Sequence, residues 1–143
     1  GYANCFDAIP SDVPWRPALI VADLSFIPLE LVLPALAGVS TDDADLVLMV
    51  KPQFEVGRAA VGDGVVRDPA LRRSAVQGVA DAATGLGLRV LGVAASPLPG
   101  PSGNVEYFLW LSRARGRMGD DSSPLVGEEL ARAIAQAVTE GPQ

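Results

Sequence analysis

Apolar and polar positions fall into two kinds of run along this chain. Ala18-Leu-Ile-Val-Ala-Asp23 is continuously apolar up to its closing aspartate, and Asp45-Leu-Val-Leu-Met-Val50 is continuously apolar after its opening one. That pattern predicts strands buried on both faces, as in a parallel sheet. Leu88 to Ala94 reads as a third strand and Glu106 to Ser112 as a fourth. The stretch between them, Ser96-Pro-Leu-Pro-Gly-Pro-Ser-Gly-Asn104, is a stiff, shaped turn. So short a connection predicts an antiparallel pair.

Helical spacing fills the gaps. Residues 28–39 read as a helix with Pro28 in its first turn and Leu29, Leu33, Leu36 and Ala37 on one face. Pro34 should kink or shorten it. Asp68 is a good N-cap, with Pro69 at the first helical position of a helix running to about Gly85. Its register predicts Leu71, Ala75, Val79, Ala82 and Ala83 inward and Arg72 and Arg73 outward, in water. Residues 124–139 read as a closing amphipathic helix with Leu125, Leu130, Ile134 and Val138 inward. Residues 1–17 are proline-punctuated and read as a lead-in, with Trp15 packing at the domain edge. Residues 55–69 form a long glycine-containing loop, functional or disordered by its length. Arg113 to Ser123 reads as a mobile, charged connection.

The order is strand, helix, strand, helix, strand, strand, helix. Right-handed crossovers set the first two strands side by side and parallel. Composition narrows the function. The chain has 143 residues, a formal net charge of −6, 49% hydrophobic and 20% charged residues, which suits one folded domain after the lead-in. An acidic balance argues against gripping nucleic acid by bulk charge, so any RNA contact needs a local patch. There is no histidine, which excludes imidazole acid–base work and most zinc sites, and no metal site is expected. Cys5 is the single cysteine, so no internal disulfide can form. No apolar run could span a bilayer, and a cytoplasmic setting is expected. The start at Gly1, without a methionine, suggests a processed or excised piece.

Ligands of open α/β sheets bind outside the carboxyl ends of the strands. Asp23 closes the first strand and Lys51 follows the second, before Pro52. If the fourth strand runs antiparallel between its neighbours, Glu106 starts at that same rim. Flanking carboxylates hold an ammonium group in place, and such a lysine can orient a hydroxyl, accept its proton or stabilise an alkoxide. The competing reading is a structural ion-pair cluster: Asp23 as a cap or turn residue, Lys51 solvated, Glu106 exposed at a strand start.

Four segments carry a resemblance: Val21-Ala-Asp-Leu-Ser-Phe-Ile27, Val50-Lys-Pro-Gln-Phe-Glu-Val-Gly-Arg58, Val61-Gly-Asp-Gly-Val-Val-Arg-Asp-Pro69 and Ser96-Pro-Leu-Pro-Gly-Pro-Ser-Gly-Asn-Val-Glu-Tyr-Phe108. In this order, over most of residues 18–112, they resemble the TlyA (hemolysin A) family of FtsJ-like ribosomal RNA 2′-O-methyltransferases. The resemblance implies a Rossmann-like α/β fold, three-layered αβα, here partial, with a mixed sheet and an antiparallel last strand. It implies S-adenosylmethionine as cofactor, near Asp23, Leu24 and Ser25, and ribosomal RNA or ribosomal subunits as partner. It implies a Lys-Asp-Lys-Glu catalytic set, of which Asp23, Lys51 and Glu106 match three. Lys51 would meet the ribose 2′-hydroxyl directly, with Asp23 and Glu106 orienting it. Arg58 and Arg67 are candidates for RNA phosphate contacts, against a role in ordering their loop.

The first lysine and the family's glycine-rich cofactor motif have no counterpart here, nor has the S4-like RNA-binding module. Residues 18–143 therefore resemble the C-terminal half of a methyltransferase domain. The isolated piece is expected neither to bind cofactor tightly nor to turn over, and a first strand with an open edge could drive self-association. Two other readings stay open: a non-enzymatic RNA- or ribosome-binding module, and a hemolysin-like activity, which no membrane-spanning run supports.

Overall fold

The computed structural model describes residues 14–113 and 123–142. The expected lead-in before residue 14 and the connection over 114–122 lie outside the described residues. The described elements are β1 (Leu19–Ala22), α1 (Leu29–Val39), β2 (Asp45–Val50), α2 (Pro52–Glu55), α3 (Arg58–Val61), α4 (Pro69–Gly85), β3 (Arg89–Ala95), β4 (Tyr107–Ser112) and α5 (Gly127–Glu140). They form an α/β fold on one mixed four-stranded sheet of order β1-β2-β4-β3. β1 and β2 pair in parallel, with Leu19 opposite Asp45 and Ala22 opposite Leu48. β4 is antiparallel to both neighbours, pairing Val50 with Tyr107 on one side and Ala95 with Tyr107 on the other.

Strand periodicity divides the apolar residues between two faces. Leu46, Leu48, Val50, Tyr107, Leu109 and Leu111 are fully buried against α1, α4 and α5. Val21, Val47 and Trp110 are register partners on the opposite face. There Val21 is 72% exposed, and Val47 and Trp110 are half-buried. The continuous apolar run of β2 thus meets a helical layer on one side, while its other side is only half covered among the described residues. Asp45, at the start of β2, accepts a hydrogen bond from Trp110 Nε1 at 3.0 Å on that second face.

α1 is a weak helix by sequence, with Pro34 and Gly38 inside it. It nevertheless runs through Pro34 to Val39, neither ending nor shortening there. Tertiary contacts override the local penalty. Leu29, Val32, Leu33 and Val39 are buried, while Leu36 and Ala37 pack partly against the core. Both ends are satisfied from far away in sequence. Pro28 offers no capping side chain, and the Glu55 carboxylate accepts from Leu29 N at 2.9 Å. At the other end Arg113 Nη1 donates to the carbonyls of Ala37 at 2.8 Å and Ser40 at 2.9 Å, and Arg16 Nη2 donates to Ser40 O at 2.6 Å. An acid at the N-terminus and two bases at the C-terminus complement the helix dipole.

α4 corrects the expected register. Its inward stripe is Arg72, Ala75, Val76, Val79, Ala80 and Ala83, and Leu71 and Ala82 are only half-buried. Arg72 is therefore buried, not solvated, because a helical face includes positions three and four before Ala75 and Val76. Trp15, expected to pack, is 67% exposed. Asp68 caps α4 as expected, accepting from Ala70 N at 2.9 Å.

Burial holds the Glu55 carboxyl above its ordinary pKa; the Leu29 N–H opposes this and the Glu30 charge adds to it. The ionised form is thus penalised in the fold. Stability contributed here should be greatest below the ordinary glutamate pKa and decline as pH rises through the raised value. Glu55→Gln keeps the acceptor and should abolish that slope without lowering stability at pH 7. Glu55→Ala should lose about 1 kcal/mol of cap energy. Urea unfolding from pH 4 to 8 checks both.

Candidate active site

The carboxyl ends of β1 and β2 bring Asp23 and Lys51 together. Parallel register sets the two strands' ends level, and the chain leaves each at once: into Asp23-Leu24-Ser25 from β1 and into the single turn of α2 from β2. Lys51 occupies the N-cap position of α2, in extended conformation, with Pro52 at the first helical position. Its Nζ lies 2.6 Å from Asp23 Oδ1 and donates to Ser25 Oγ at 3.1 Å. The lysine side chain is 12% exposed and the aspartate side chain 62%. A largely buried ammonium thus has one carboxylate partner that opens to solvent.

Glu106 immediately precedes β4 and is 7% exposed, not a solvated strand-start carboxylate. The antiparallel run of β4 delivers it to the same rim, next to the Val50–Tyr107 pair. Gly100 makes room for it: a Cβ added there would stand 2.7 Å from Glu106 Oε1. Lys51, Ser25 and Glu106 line one cavity of about 450 Å³, together with Phe26, Phe54 and Asn104. Asp23 meets this group through Lys51. Leu24 packs partly against the hydrophobic core.

Two aromatic rings flank the cavity. Phe26 and Phe54 have centroids 4.9 Å apart at an interplanar angle of 50°. Phe26 is 87% exposed and has φ of 65°. A bulky residue in left-handed conformation, with its ring exposed, is costly on two counts.

The expected long loop is ordered, and buried side chains order it. It begins with α2 and α3. Asn104, 3% exposed, then donates from Nδ2 to Gly64 O at 2.8 Å and accepts at Oδ1 from Val66 N at 2.8 Å. Arg72 Nε donates to Val66 O at 2.9 Å. Gly62 and Gly64, with φ of 61° and 95°, supply the turns between. One amide from the β3–β4 connection and one guanidinium from α4 therefore hold this loop against the cavity. Sequence pattern gave no signal for the Asn104 contacts, which reach 38 and 40 residues back along the chain to Val66 and Gly64.

The two candidate arginines differ. Arg67 makes a two-pronged pair with Asp63, at 3.1 and 3.0 Å. This holds the Asp63 carboxyl below its usual range and raises the arginine. Arg58 stands exposed at the start of α3, without an ion-pair partner among the described residues. Neither lines the Lys51 cavity.

Residues 3–113 match the family model of the FtsJ-like methyltransferases. The chain is 53% identical over 140 residues to the 16S/23S rRNA (cytidine-2′-O)-methyltransferase TlyA of Mycobacterium tuberculosis, covering 97% of this chain and 50% of that protein. It is 32% identical over 93 residues to Hemolysin A of Brachyspira hyodysenteriae, covering 64% of this chain and 39% of that one. Among solved structures, one described as a hemolysin from Lactococcus lactis superposes with a TM-score of 0.80 at 33% identity, covering 96% of this chain and 64% of the other. The chain spans about half the length of the curated relatives it matches. Among the described residues no helix is long and apolar enough to cross a membrane.

Asn104→Ala should strand Val66 N and Gly64 O together. We expect a loss of about 2 kcal/mol, on the scale of unsatisfied buried groups. Amide exchange should speed up at Val66 well before global unfolding.

Proposed function

This chain belongs to the FtsJ-like methyltransferase family, and on that footing we propose that it carries the acceptor side of an active site that methylates the 2′-hydroxyl of ribose in ribosomal RNA. The observation that supports this most is the Lys51 ammonium, held by Asp23 at 2.6 Å and Ser25 at 3.1 Å in a cavity that Glu106 also lines.

An ammonium group has three N–H donors. Asp23 and Ser25 take two and fix its direction, leaving a third for the ribose hydroxyl. Lys51 then orients a lone pair of that oxygen for in-line attack and steadies the negative charge that develops as its proton leaves. Asp23 can take a proton from the ammonium, so that the amine left behind accepts the hydroxyl proton as the oxygen attacks, and the Asp23 proton then leaves to solvent, to which that side chain is open. Glu106 orients the sugar or the ammonium from the other wall. The whole arrangement suits a reaction in which positioning supplies most of the rate.

The cofactor would be S-adenosylmethionine, whose sulfonium makes its methyl group electrophilic when bound. The residues present suit its charged, reactive end. An exposed carboxylate at Asp23, with Leu24 and Ser25 beside it on the sheet's open rim, can face a sulfonium cation. Among the described residues no strand runs through a glycine-rich turn into a helix, the usual cradle for a nucleotide. Asp23, Leu24 and Ser25 are therefore the residues of this chain that would hold it. Phe26 offers a flat apolar face at the cavity mouth for the base of the target nucleotide, since stacking on an exposed ring accepts any base. Arg58, exposed and without an ion-pair partner among the described residues, is placed to meet an RNA phosphate.

In the complete protein, Lys51→Ala should lower methyl transfer to ribosomal RNA by about 10²–10⁴-fold, the range for a positioned proton-handling group. The melting temperature should hold, since the ammonium sits at a rim. Tritiated-methyl incorporation measures the first, and near-normal turnover would remove Lys51 from the mechanism. Phe26→Ala should weaken RNA engagement by about 1–3 kcal/mol, the value of one stacked base, with cofactor binding unchanged by calorimetry.

A further inference from the structure

Arg72 carries a charge that the described fold does not balance. It is 5% exposed, and its Nε donates to Val66 O. No carboxylate among the described residues forms an ion pair with it. The buried Tyr107 hydroxyl lies beside it: burial raises that group's pKa, and the Arg72 charge and hydrogen bonding oppose the rise without supplying a counter-charge. A guanidinium cannot deprotonate to relieve the strain. Buried cations without a counter-charge are costly, and an anion drawn into contact would relieve that cost.

The pocket in front of Arg72 fits that role. Arg72, Arg67, Val65, Ser102 and Gly103 line an open depression of about 360 Å³. Ser102 also lines the Lys51 cavity, so one residue of the β3–β4 connection is the wall between the two. Asp63 holds the Arg67 guanidinium in place from outside, through both nitrogens. Because one of the two cations is already paired, the depression keeps a net positive charge of about one. That suits a singly charged oxyanion. In a chain of net charge −6, this is a local patch of the kind that RNA contact requires.

We propose that this depression is an anion subsite and that it takes a backbone phosphodiester of the RNA next to the ribose addressed by Lys51. The proposal rests on the methyl-transfer reading and extends it to substrate positioning. A phosphate seated here would fix the register of the RNA strand relative to the ammonium, independently of sequence.

The test uses the complete protein and a ribosomal RNA fragment that it methylates. Binding is measured from 50 to 300 mM salt for the wild type, Arg67→Gln and Arg72→Gln. Each variant should flatten the slope of log K against log salt by about 0.7–0.9, one phosphate contact on the counterion-release scale. A second arm replaces the phosphodiester beside the target nucleotide by a neutral methylphosphonate. That should weaken wild-type binding about tenfold, on the scale of a single lost contact, and cost Arg67→Gln nothing further. If the wild type binds and methylates while both variants keep its slope and its methylphosphonate penalty, the subsite is refuted and the methyl-transfer reading stands. Should Arg72→Gln fail to fold, the exposed Arg67→Gln decides by the same two readouts. A wild type that neither binds nor methylates RNA would sink the methyl-transfer reading, and this proposal with it. Competition by inorganic phosphate alone, with no effect of the methylphosphonate, would identify a free-anion site and overturn the RNA assignment.

Discussion

The contact between Lys51 and Asp23 depends on a single geometric constraint, the parallel register of β1 and β2. Parallel strands end on the same side of a sheet. With Ala22 opposite Leu48, the residues that follow each strand emerge at one rim, within reach of a lysine's length. A shift of one residue would turn every side chain of β1 to the other face and carry the apolar set out of the core. The buried Ala22 and the fully buried Leu46, Leu48 and Val50 hold that register. The polar chemistry at the rim is therefore anchored by apolar residues a few positions upstream.

The antiparallel β4 makes the second delivery. Lying between β2 and β3, it begins where β2 ends, so Glu106 reaches the rim from a connection distant in sequence. That connection has two duties. Gly100 leaves space for the carboxylate, and Asn104 ties down the backbone of the loop after α3. Cavity wall and loop are thus parts of one hydrogen-bonded body. The two pockets that share Ser102 are shaped by the same short stretch.

Much of this was legible in the chain itself. The apolar run Asp45–Val50 marked its strand to the residue, and the proline-rich Ser96–Asn104 marked a turn between antiparallel partners. Asp68 and Pro69 announced the start of α4. These features are local, and local rules read them. Arg72, Glu55 and Asn104 were not legible, because each satisfies a group that sequence cannot place. Arg72 looked like half of a solvated pair with Arg73, yet it lies on the inward stripe with Val76 and Val79. Glu55 looked like the start of a loop, yet it caps a helix that begins 26 residues earlier. Pro34 was expected to kink or shorten its helix, and long-range contacts carried the helix on to Val39.

α1 has a consequence for the order in which this molecule assembles. Its N-terminus is completed by Glu55, and its C-terminus by Arg113 together with the earlier Arg16, so two of these three partners are reached only later in the chain. With a proline and a glycine inside it, the segment has little reason to coil before those partners dock. On that ground the helix would form as those partners dock rather than before them. Synthesised from the N-terminus, the polypeptide would leave the C-terminal end of α1 incompletely capped until Arg113, just past β4, is made.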